Sequence, residues 1–420
     1  MEEEAMVKKK RAAKAVVVGG SIAGLSCAHS LIAAGWEVVV LEKTASPPSG
    51  SPTGAGLSLE PQARGVIDRW LGDPTILHNI TLPLDIELHQ AFNTEKKHVR
   101  TLVRDDHFTY RCAHWTDLHS VIHKALPPGI ILWGHRFLSI CSSDRASVKI
   151  KVQVLQSNEI VEISGDLLVA ADGCMSLIRQ HFLPNHKLRY SGYSAWRGVF
   201  NFSDDEKSNT ISVLRRTYPD LGKCLYFDYS SGNHCVLFEI RNQRLNWIWY
   251  FNTPEPHKEG NSVTKKVSEE MVKNMHEEAG KLWNPALALL MKETEEPFIN
   301  VIYDSDPLPR LTWGNVVLVG DAAHPTTPHA SRSTNMSILD AEVLGISLKK
   351  SAPENLSMAL QEYQAIRHPV VSKQVVESRE MGLLKQGLLL RDEAALSSPE
   401  EFFGIQHRSI CFYEQVPTAL

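Results

Sequence analysis

The glycine-rich turn near the start of the chain constrains its fold more than any other feature. An apolar run at Ala15–Val18 leads into Gly19-Gly20-Ser21, and a helix-like segment follows over Ile22–Ala34. A second apolar run, Val38–Leu41, comes after Gly35. This order predicts a buried strand, a helix ended by Gly35 and a second buried strand. We therefore expect a β-α-β unit.

The spacing within this turn is typical of a dinucleotide site. Gly19 allows a tight turn and Gly24 close packing of helix on strand, while Ser21 stands where the usual fingerprint has a second glycine. The N–H groups at a helix start attract phosphate. Glu42 ends the second strand, where a carboxylate can bind a ribose hydroxyl. The alternative, an ordinary β-α-β turn, does not need this acid. The candidate residues are Gly19, Gly20, Ser21, Ile22, Ala23, Gly24, Glu42 and Lys43.

Two later segments also run from a buried strand into a polar turn. Asp166–Ala171 leads into Asp172-Gly173 and a helix, and Val316–Val319 leads into Gly320-Asp321. A loop rich in His, Pro, Ser and Thr follows the second turn, before a helix predicted from about Asn335. Segments of this kind end an α/β sheet at a ligand crevice. Asp172 has a second interpretation, as an ordinary helix cap.

Composition narrows the class of protein. The 420 residues suggest two to three domain-sized units, and the net charge of −4 gives no bias toward nucleic acid or an anionic membrane. No apolar stretch reaches the roughly 18–20 residues that a membrane span needs. Seven scattered cysteines without a C-x-x-C pair argue against a disulfide framework and a metal site. We expect a cytoplasmic protein in which the basic run at Lys8–Arg11 is a solvated tail.

The middle of the chain changes character. From Arg189 to Asn252 the sequence alternates between apolar and polar residues, which predicts a mostly antiparallel sheet inserted after the first nucleotide-binding half. Val263–Glu293 is predicted to be helical. The chain is then expected to return to the first domain through Ile299–Tyr303. The last seventy residues are predicted to be mostly helical, with Pro369 starting or kinking a helix.

The three turns, in this order and spacing, resemble the signatures of class A FAD-dependent aromatic monooxygenases. Asp172, Gly173, Ser176 and Arg179 match the pattern D-G-x-x-S-x-x-R, and Gly320 opens the pattern GDAAHP. The resemblance implies an α/β fold: a Rossmann-like FAD-binding domain with an interleaved, mostly antiparallel β-sheet substrate domain and C-terminal helices. The implied boundaries are 1–75, 103–183 and 299–350 for the FAD-binding domain, 76–102 and 184–298 for the substrate domain, and 351–420 for the helical region.

Further matches resemble one branch of this family, 2,6-dihydroxypyridine 3-monooxygenase and its relatives, with a plant-type pattern in two stretches. The matching residues are Arg111, Trp115, Tyr190, Gly192, Tyr193, Ala195, Trp196, Arg197, Gly198, Asn246, Trp247, Trp249, Tyr250, Pro328, His329, Ser333 and Thr334. Aromatic residues also favour strands and cores in any protein, so the matched positions rather than the aromatic content support the branch.

The resemblance implies FAD as cofactor and NAD(P)H as a transient co-substrate. O2 would add to the reduced flavin to give a C4a-hydroperoxide, which an electron-rich aromatic or heteroaromatic ring attacks. The resemblance also implies a homodimer, which is common in the family. Asp172 is implied to lie near the FAD, and Gly320 and Asp321 to contact its ribose and pyrophosphate. Arg111, Ser333, Thr334 and Asn335 complete the implied cofactor-binding set.

A base with a pKa near neutrality would help by ionising a phenolic substrate. His329 is the first candidate for this base, because it lies in the loop expected to face the flavin ring. His234 and Tyr226, on the predicted substrate sheet, are further candidates.

The segment 330–335 departs from the family pattern. Many relatives have a G-G-x-G-x-N loop, whereas this chain has Ala330-Ser331-Arg332-Ser333-Thr334-Asn335. Because loss of glycine restricts φ, we expect the loop to follow another path. Arg332 is predicted to stabilise reduced flavin, to bind an acidic substrate or to point to solvent. The departure keeps two alternatives open: a flavin-dependent oxidase or epoxidase of a specialised metabolite, and a flavin-binding protein without catalysis.

Overall fold

The computed structural model describes residues 12–388 apart from 49–53, 94–97, 144–146, 204–208, 258–261, 266 and 352–354. The tail at Lys8–Arg11, Cys411 and the part of the predicted helical region beyond residue 388 lie outside the described residues. The strands are β1 (Lys14–Val18), β2 (Glu37–Glu42), β3 (Gly56–Leu59), β4 (Thr81–Leu84), β5 (Ile86–Asn93), β6 (His98–Asp105), β7 (Tyr110–His114), β8 (Ile131–Trp133), β9 (His135–Ser143), β10 (Val148–Val154), β11 (Glu159–Gly165), β12 (Leu167–Ala170), β13 (Arg189–Asn201), β14 (Cys224–Ser230), β15 (Asn233–Ile240), β16 (Arg244–Asn252), β17 (Thr264–Lys265), β18 (Phe298–Asp304), β19 (Thr312–Trp313) and β20 (Val316–Leu318). The helices are α1 (Ile22–Ala33), α2 (Pro61–Leu71), α3 (Pro74–Ile80), α4 (Trp115–Lys124), α5 (Leu177–Phe182), α6 (Asn209–Thr217), α7 (Glu269–Leu282), α8 (Pro285–Glu293), α9 (Arg332–Lys350) and α10 (Leu356–Lys385).

A six-stranded sheet carries the three polar turns. Its strand order is β19-β20-β12-β1-β2-β8, and all pairs except β19–β20 are parallel. The central strands are almost entirely apolar and buried, as expected of a parallel sheet covered on both faces. Val18 is in register with Ala170, and Ala170 with Leu318. The turns that follow β1, β12 and β20 therefore meet at one edge of the sheet.

An eight-stranded sheet forms the second layer. Its order is β17-β18-β13-β16-β15-β14-β5-β6, and among these described strands only β14 and β5 pair in parallel. This arrangement confirms the predicted mixture of a Rossmann-like unit with a mostly antiparallel sheet. One face of the sheet packs on α6, α7 and α8 through a core that includes Trp247, Trp249, Met275 and Leu287. The opposite face lines a cavity.

Some elements lie elsewhere than the sequence predicts. Strand β18, predicted within the returning first domain, pairs with β13 in the large sheet instead. Thr264–Lys265, within a segment predicted to be helical, pairs with β18 as β17. The division of the chain into domains as a whole stays a prediction.

Two helices near the end of the chain also differ in detail. Helix α9 begins at Arg332, three residues before the predicted start, and Pro369 lies inside α10 without ending it. In the described ranges, none of the helices is long and apolar enough to cross a membrane. Over the same ranges, no cluster of three His, Cys, Asp or Glu side chains has the arrangement of a metal site.

Candidate active site

The turn after β1 requires glycine at two positions. Gly19 has φ of +107°, and a Cβ there would lie 2.2 Å from the carbonyl oxygen of Ala171. A Cβ on Gly24 would lie 1.8 Å from the carbonyl oxygen of Gly19. No side chain fits at such distances, so the two glycines let β1, β12 and α1 approach closely. Glu42 closes the turn, since its Oε2 accepts from the Gly20 N–H at 2.7 Å.

Helix α1 presents its first turn to the cavity. Ser21 precedes the helix and is exposed, and no acidic residue occupies the first turn. The positive end of the helix dipole is therefore not neutralised by the helix itself. His119 on α4 fixes the turn, because its Nε2 donates to the Gly20 carbonyl at 2.8 Å. This histidine contact was not among the sequence predictions.

The turn after β12 is linked to the turn after β20 by one arginine. Asp172 Oδ2 accepts from the Ile178 N–H at 3.2 Å, and its buried Oδ1 has no hydrogen-bond partner among the described residues. Burial raises the pKa of this carboxyl, against the hydrogen bonds it accepts from Ser176 and Ile178. Arg179 is buried and donates to the backbone carbonyls of Asp321 and Ala322, at 3.1 and 3.0 Å. It therefore joins the two turns from within the core.

The turn after β20 depends on a buried charge network around Asp340. Asp340 Oδ2 accepts from the Gly320 N–H at 2.9 Å and from His324 Nε2 at 2.5 Å. Its Oδ1 accepts from Arg367 Nε on α10 at 2.7 Å. Burial alone would raise the pKa of this carboxyl, but His324 and Arg367 outweigh burial and lower it to about 2. The network therefore joins the turn at Gly320 to Asp340 in α9 and to Arg367 in α10.

The loop before α9 keeps left-handed backbone conformations without glycine. Ala330 and Ser331 have φ of 58° and 56°. Loss of glycine therefore does not keep the backbone out of the left-handed region at these two positions. Side chains hold the loop instead: Asn335 Nδ2 donates to the Ser331 carbonyl at 2.7 Å and to the Ser58 carbonyl at 3.0 Å. Left-handed residues with a Cβ carry strain, which these bonds offset.

Arg332 does not point to solvent. It is 1% exposed, and its Nη1 lies 3.7 Å from Glu60 Oε2. Burial raises the pKa of Glu60 to about 7, although Arg332 and Arg367 pull it down. The Arg332 side chain lines the same cavity as Tyr110. The solvent alternative of the sequence prediction is therefore wrong.

One cavity of about 1310 Å³ extends from the turn after β1 to the face of the large sheet. It brings together most of the predicted site residues: Gly19, Gly20, Ser21, Glu42, Lys43, Asp172, His234, Asp321, His329, Ser333 and Thr334. The predicted residues that do not line it are Ile22, Ala23, Gly24, Arg111, Tyr226, Gly320 and Asn335. Gly24, Gly320 and Asn335 shape the backbone around it, whereas Arg111 binds Thr81 through its Nε at 2.7 Å.

Tyr226 lies on the wrong face of the large sheet for a catalytic role. Side chains alternate along a strand, and Leu225 and Phe227 of β14 face the cavity. Tyr226 instead packs into the core beneath the sheet, where its hydroxyl accepts from the Asp220 N–H at 2.8 Å. The strand register agrees with this position. The residue of β14 that pairs with the cavity-lining His234 is Tyr229, and Tyr226, three residues earlier, faces the opposite side of the sheet.

A chain of hydrogen bonds fixes the protons of the two cavity histidines. The Gln386 backbone carbonyl accepts from Asn252 Nδ2 (3.0 Å), so Asn252 Oδ1 accepts from Gln386 Nε2 (2.9 Å). Gln386 Oε1 then accepts from His234 Nδ1 (2.7 Å), which leaves His234 Nε2 a lone pair in the neutral ring. His329 Nε2 donates to this lone pair, and Tyr193 donates to His329 Nδ1, both at 3.3 Å.

These histidines stay neutral near pH 7. Burial lowers the pKa of His329 well below its usual value, and His234, Lys385 and Arg197 lower it further. The pKa of His234 is also far below normal, through burial and then Lys385. The predicted base with a pKa near neutrality is therefore not His329 in this arrangement. Both of its nitrogens already take part in hydrogen bonds.

Sequence reasoning missed the charged side chains that line the cavity next to the face of the large sheet. Lys385 at the end of α10 and Glu87 on β5 are buried and line it, as does Arg197 on β13. Arg197 stood in the pattern compared with the family, but without a role. A charged residue within an apolar alternating strand was the available signal for Glu87 and Arg197. Lys385 had none, because its neighbours come from distant strands.

Comparisons with known proteins agree with this fold and with FAD as the cofactor. A family model described as "FAD binding domain" matches residues 12–378. The 6-hydroxynicotinate 3-monooxygenase of Pseudomonas fluorescens is 26% identical over 85% of this chain and 88% of its own length. The salicylate hydroxylase of Pseudomonas putida is 27% identical over 92% of this chain and 89% of its own.

Solved structures share the architecture. HpxO from Klebsiella pneumoniae, complexed with FAD and uric acid, superposes with a TM-score of 0.77 at 22% identity, covering 96% of this chain and 97% of that one. The 2,6-dihydroxypyridine-3-hydroxylase of Arthrobacter nicotinovorans gives 0.76 at 21% identity, covering 91% and 95%. At this identity the likeness concerns the fold alone. The family model matches most of the length of the chain. The chain therefore belongs to the FAD binding domain family and is an FAD-dependent monooxygenase.

Proposed function

We propose that this monooxygenase uses NAD(P)H and O2 to hydroxylate a small aromatic or heteroaromatic ring held against the large sheet. The observation that carries the proposal is the continuity of the cavity. It runs from a turn suited to a dinucleotide to a sheet face lined by apolar and aromatic side chains, among them Phe227, Phe238, Ile248 and Tyr250. Such a surface suits a flat ring, and the few polar groups around it can orient that ring.

The residues at the sheet edge fit FAD. The uncapped start of α1 and the Gly19–Gly20 backbone suit a pyrophosphate, and the Glu42 carboxylate suits a ribose. The buried Oδ1 of Asp172, which lacks a partner within the described ranges, offers a further acceptor. Asp321, whose carboxylate is held by Ser333 Oγ at 2.6 Å, lies at the same edge. When bound, FAD supplies the redox and oxygen-transfer chemistry, and these residues bind and orient it.

The protein's own part at the substrate end is to exclude water and to hold protons. The neutral pair His329 and His234 forms a closed donor–acceptor chain from Tyr193 to Gln386. A substrate hydroxyl that approaches His329 competes with Tyr193 for Nδ1 and can donate a hydrogen bond to that nitrogen. We propose that neutral His329 orients the hydroxyl as a hydrogen-bond acceptor, and that His234 orients His329. Tyr226 has no part in this proposal, because it lies beneath the sheet.

An oxidase or epoxidase was considered because the loop at residues 330–335 lacks the glycines of the family pattern. Ala330 and Ser331 adopt left-handed conformations of the kind that glycine allows, which favours hydroxylation. Membership of a monooxygenase family leaves the alternative without catalysis unsupported. A homodimer is proposed on the family resemblance alone, and size-exclusion chromatography with light scattering tests it. A cytoplasmic location is proposed on the scattered, unpaired cysteines.

The test is NAD(P)H consumption and product mass measured together. The purified protein should bind FAD and oxidise NAD(P)H faster when a hydroxylated aromatic compound is added, with a product heavier by one oxygen atom. The comparison of NADH with NADPH in the same assay identifies the reductant. Product that has lost two hydrogens instead indicates an oxidase. NAD(P)H consumption that yields only hydrogen peroxide with every aromatic compound tested contradicts the proposal.

A further inference from the structure

The part of the cavity that is lined by the face of the large sheet is called the substrate half here. The last turn of α10 forms one wall of it. Gly382, Lys385 and Gln386 follow the helical spacing that places side chains on one face. A Cβ on Gly382 would lie 2.2 Å from Tyr193 Oη and 2.9 Å from His329 Nδ1, so the helix touches the histidine chain directly. The family model ends at residue 378. This wall therefore lies beyond the segment that the family model matches.

Lys385 brings a positive charge into this wall. Its side chain is buried, and its Nζ lies 3.9 Å from the centroid of the Phe227 ring, which stacks on His89 at 4.4 Å. A cation over an aromatic face is stabilised by the ring's quadrupole. Burial lowers the pKa of Lys385 to about 8, with Glu87 opposing the decrease. The ammonium group is therefore still mainly protonated at pH 7.

The charges around this half of the cavity do not cancel. Arg197 and Lys385 are cationic, whereas Glu87 is the one carboxylate among the described residues that line its sheet face. His234 and His329 are neutral, as burial and neighbouring cations dictate. Arg197 Nε is buried and has no hydrogen-bond partner within the described part of the chain. Lys385 is buried and Arg197 is half-buried, so their excess positive charge is unfavourable in the free protein and an anionic ligand relieves it.

We propose that Lys385, with Arg197 as the second cation, selects aromatic substrates that carry a carboxylate. The inference rests on the proposed function and deepens it by naming the substrate class. The ring would lie on the apolar sheet face, and the carboxylate would lie between the two cations. Lys385 is thus a specificity-determining residue supplied by the C-terminal helix.

Three acid and amide pairs test this selection with the FAD-loaded protein. The probes are 3-hydroxybenzoate, salicylate and 6-hydroxynicotinate, each with its primary amide, which has nearly the same shape but no charge. Binding is followed through the change in flavin absorbance, without NAD(P)H or turnover. In the native protein at least one acid should bind about tenfold or more tightly than its amide, as expected of a hydrogen bond to a charged group.

Variants separate charge from packing. Lys385→Met should abolish the preference for the acid and leave amide binding nearly unchanged, whereas Lys385→Arg should keep most of it. Lys373→Met is the matched control, because Lys373 lies on the same helix but is exposed and pairs with Glu377 at 3.6 Å. This control should bind every probe as the native protein does.

Several outcomes overturn the inference: equal or tighter binding of every amide, a preference that survives Lys385→Met, or no perturbation of the flavin by any acid. Failure of the proposed function looks different. A protein that hydroxylates an uncharged ring retains the proposed function and contradicts the role of Lys385. A protein that shows the Lys385-dependent preference but yields no oxygenated product supports the binding role and contradicts the proposed function.

Discussion

The two halves of the cavity are built in different ways. The cofactor half uses the carboxyl ends of β1, β12 and β20, and its polar groups belong to short segments that immediately follow those strands. The substrate half uses single side chains from β5, β13, β15 and the last turn of α10, which are far apart in sequence. A site made of backbone turns is thus local and tolerates few changes of shape, whereas a site made of distant side chains can change its charge while the fold stays the same.

The largest effect on cofactor binding should come from a methyl group in the cofactor half. Gly24→Ala places a Cβ where the Gly19 carbonyl oxygen lies, so β1 and α1 must separate. We expect no FAD binding and a loss of stability of about 3 kcal/mol or more. Flavin content and thermal unfolding are the measurements. Gly280→Ala in α7 is the control, because a Cβ there meets no described atom within 4 Å and should be neutral or stabilising. Normal flavin content in Gly24→Ala contradicts the geometry of the turn.

The Asp340 network should fail next. Asp340→Asn leaves the buried Arg367 without its carboxylate, a loss of about 3–5 kcal/mol for a broken buried ion pair. The pH dependence has a definite sign. The folded pKa of about 2 lies below the ordinary 3.8, so the stabilisation is present above pH of about 4 and is lost as the pH falls toward 2.

Urea unfolding of the native protein and the variant across this range is the measurement. Asp106→Asn is a control, because that carboxylate is exposed and pairs only with the half-exposed Arg104 in the described structure. If Asp340→Asn and the native protein have equal stability at pH 7, the network does not hold the turn.

In the substrate half, Gln386→Glu should shift the histidines. The new carboxylate accepts from His234 Nδ1 and stabilises the charged ring, so the pKa of the pair should rise by roughly one unit or more. The acidic limb of the pH profile of kcat/KM should move upward with it. Titration of the ring C–H signals by NMR measures the shift directly. Gln386→Leu fills similar space without charge and should not raise the pKa; an equal rise in both variants contradicts the hydrogen-bond order.

Lys385 gives a smaller effect that depends on pH. The preference for an acid over its amide should be full at pH 7 and should fall, by up to about tenfold, as the pH rises through the Lys385 pKa of about 8. Glu87 and His89 on β5, His234 on β15 and His329 before α9 interact electrostatically with this group, and none of them gains negative charge there. Lys385→Arg should keep its preference at high pH, because guanidinium remains protonated. A preference that is constant to pH 10 in the native protein assigns it to Arg197 instead.

The smallest effect should come from the loop. Ala330→Gly removes the steric cost of a left-handed alanine but loosens the unfolded chain, so we expect a change within about 1 kcal/mol, on the stabilising side. Thermal unfolding and the FAD dissociation constant are the measurements. Gly65→Ala, in the regular helix α2, gives the reference for a conformationally ordinary site. A clear loss of stability in Ala330→Gly contradicts the left-handed conformation.

The cofactor half was predictable because each of its segments carries its own geometry. A buried strand followed by Gly19, Asp172 or Gly320 fixes where those residues lie, since parallel strands end at the same edge. The roles of Asn335 and Arg111 were not predictable. Their short polar contacts, to Ser58 and to Thr81, join segments whose proximity depends on packing. The left-handed Ala330 was also hidden, because residue preference is a tendency that neighbouring hydrogen bonds overcome.

The substrate half shows where sequence reasoning stops. Alternation predicted the strands around Tyr226 and His234, but not which face of each strand meets the cavity, and a shift by one residue exchanges the two faces. The pairing of β18 with β13 likewise depends on a partner that its own sequence does not specify. Lys385 required both the length of α10 and its position against Phe227.

Helix α10 takes part in both halves. Arg367 binds the Asp340 network, and Lys385 reaches the substrate wall eighteen residues further along the same helix, about 27 Å at 1.5 Å per residue. The helix therefore acts as a ruler with a fixed phase. One residue inserted between these two positions would turn Lys385 by about 100° away from the cavity, while a seven-residue insertion would restore its direction but displace it by about 10 Å. The substrate preference of this protein is thus set by the length and phase of a helix as much as by the side chain at its end.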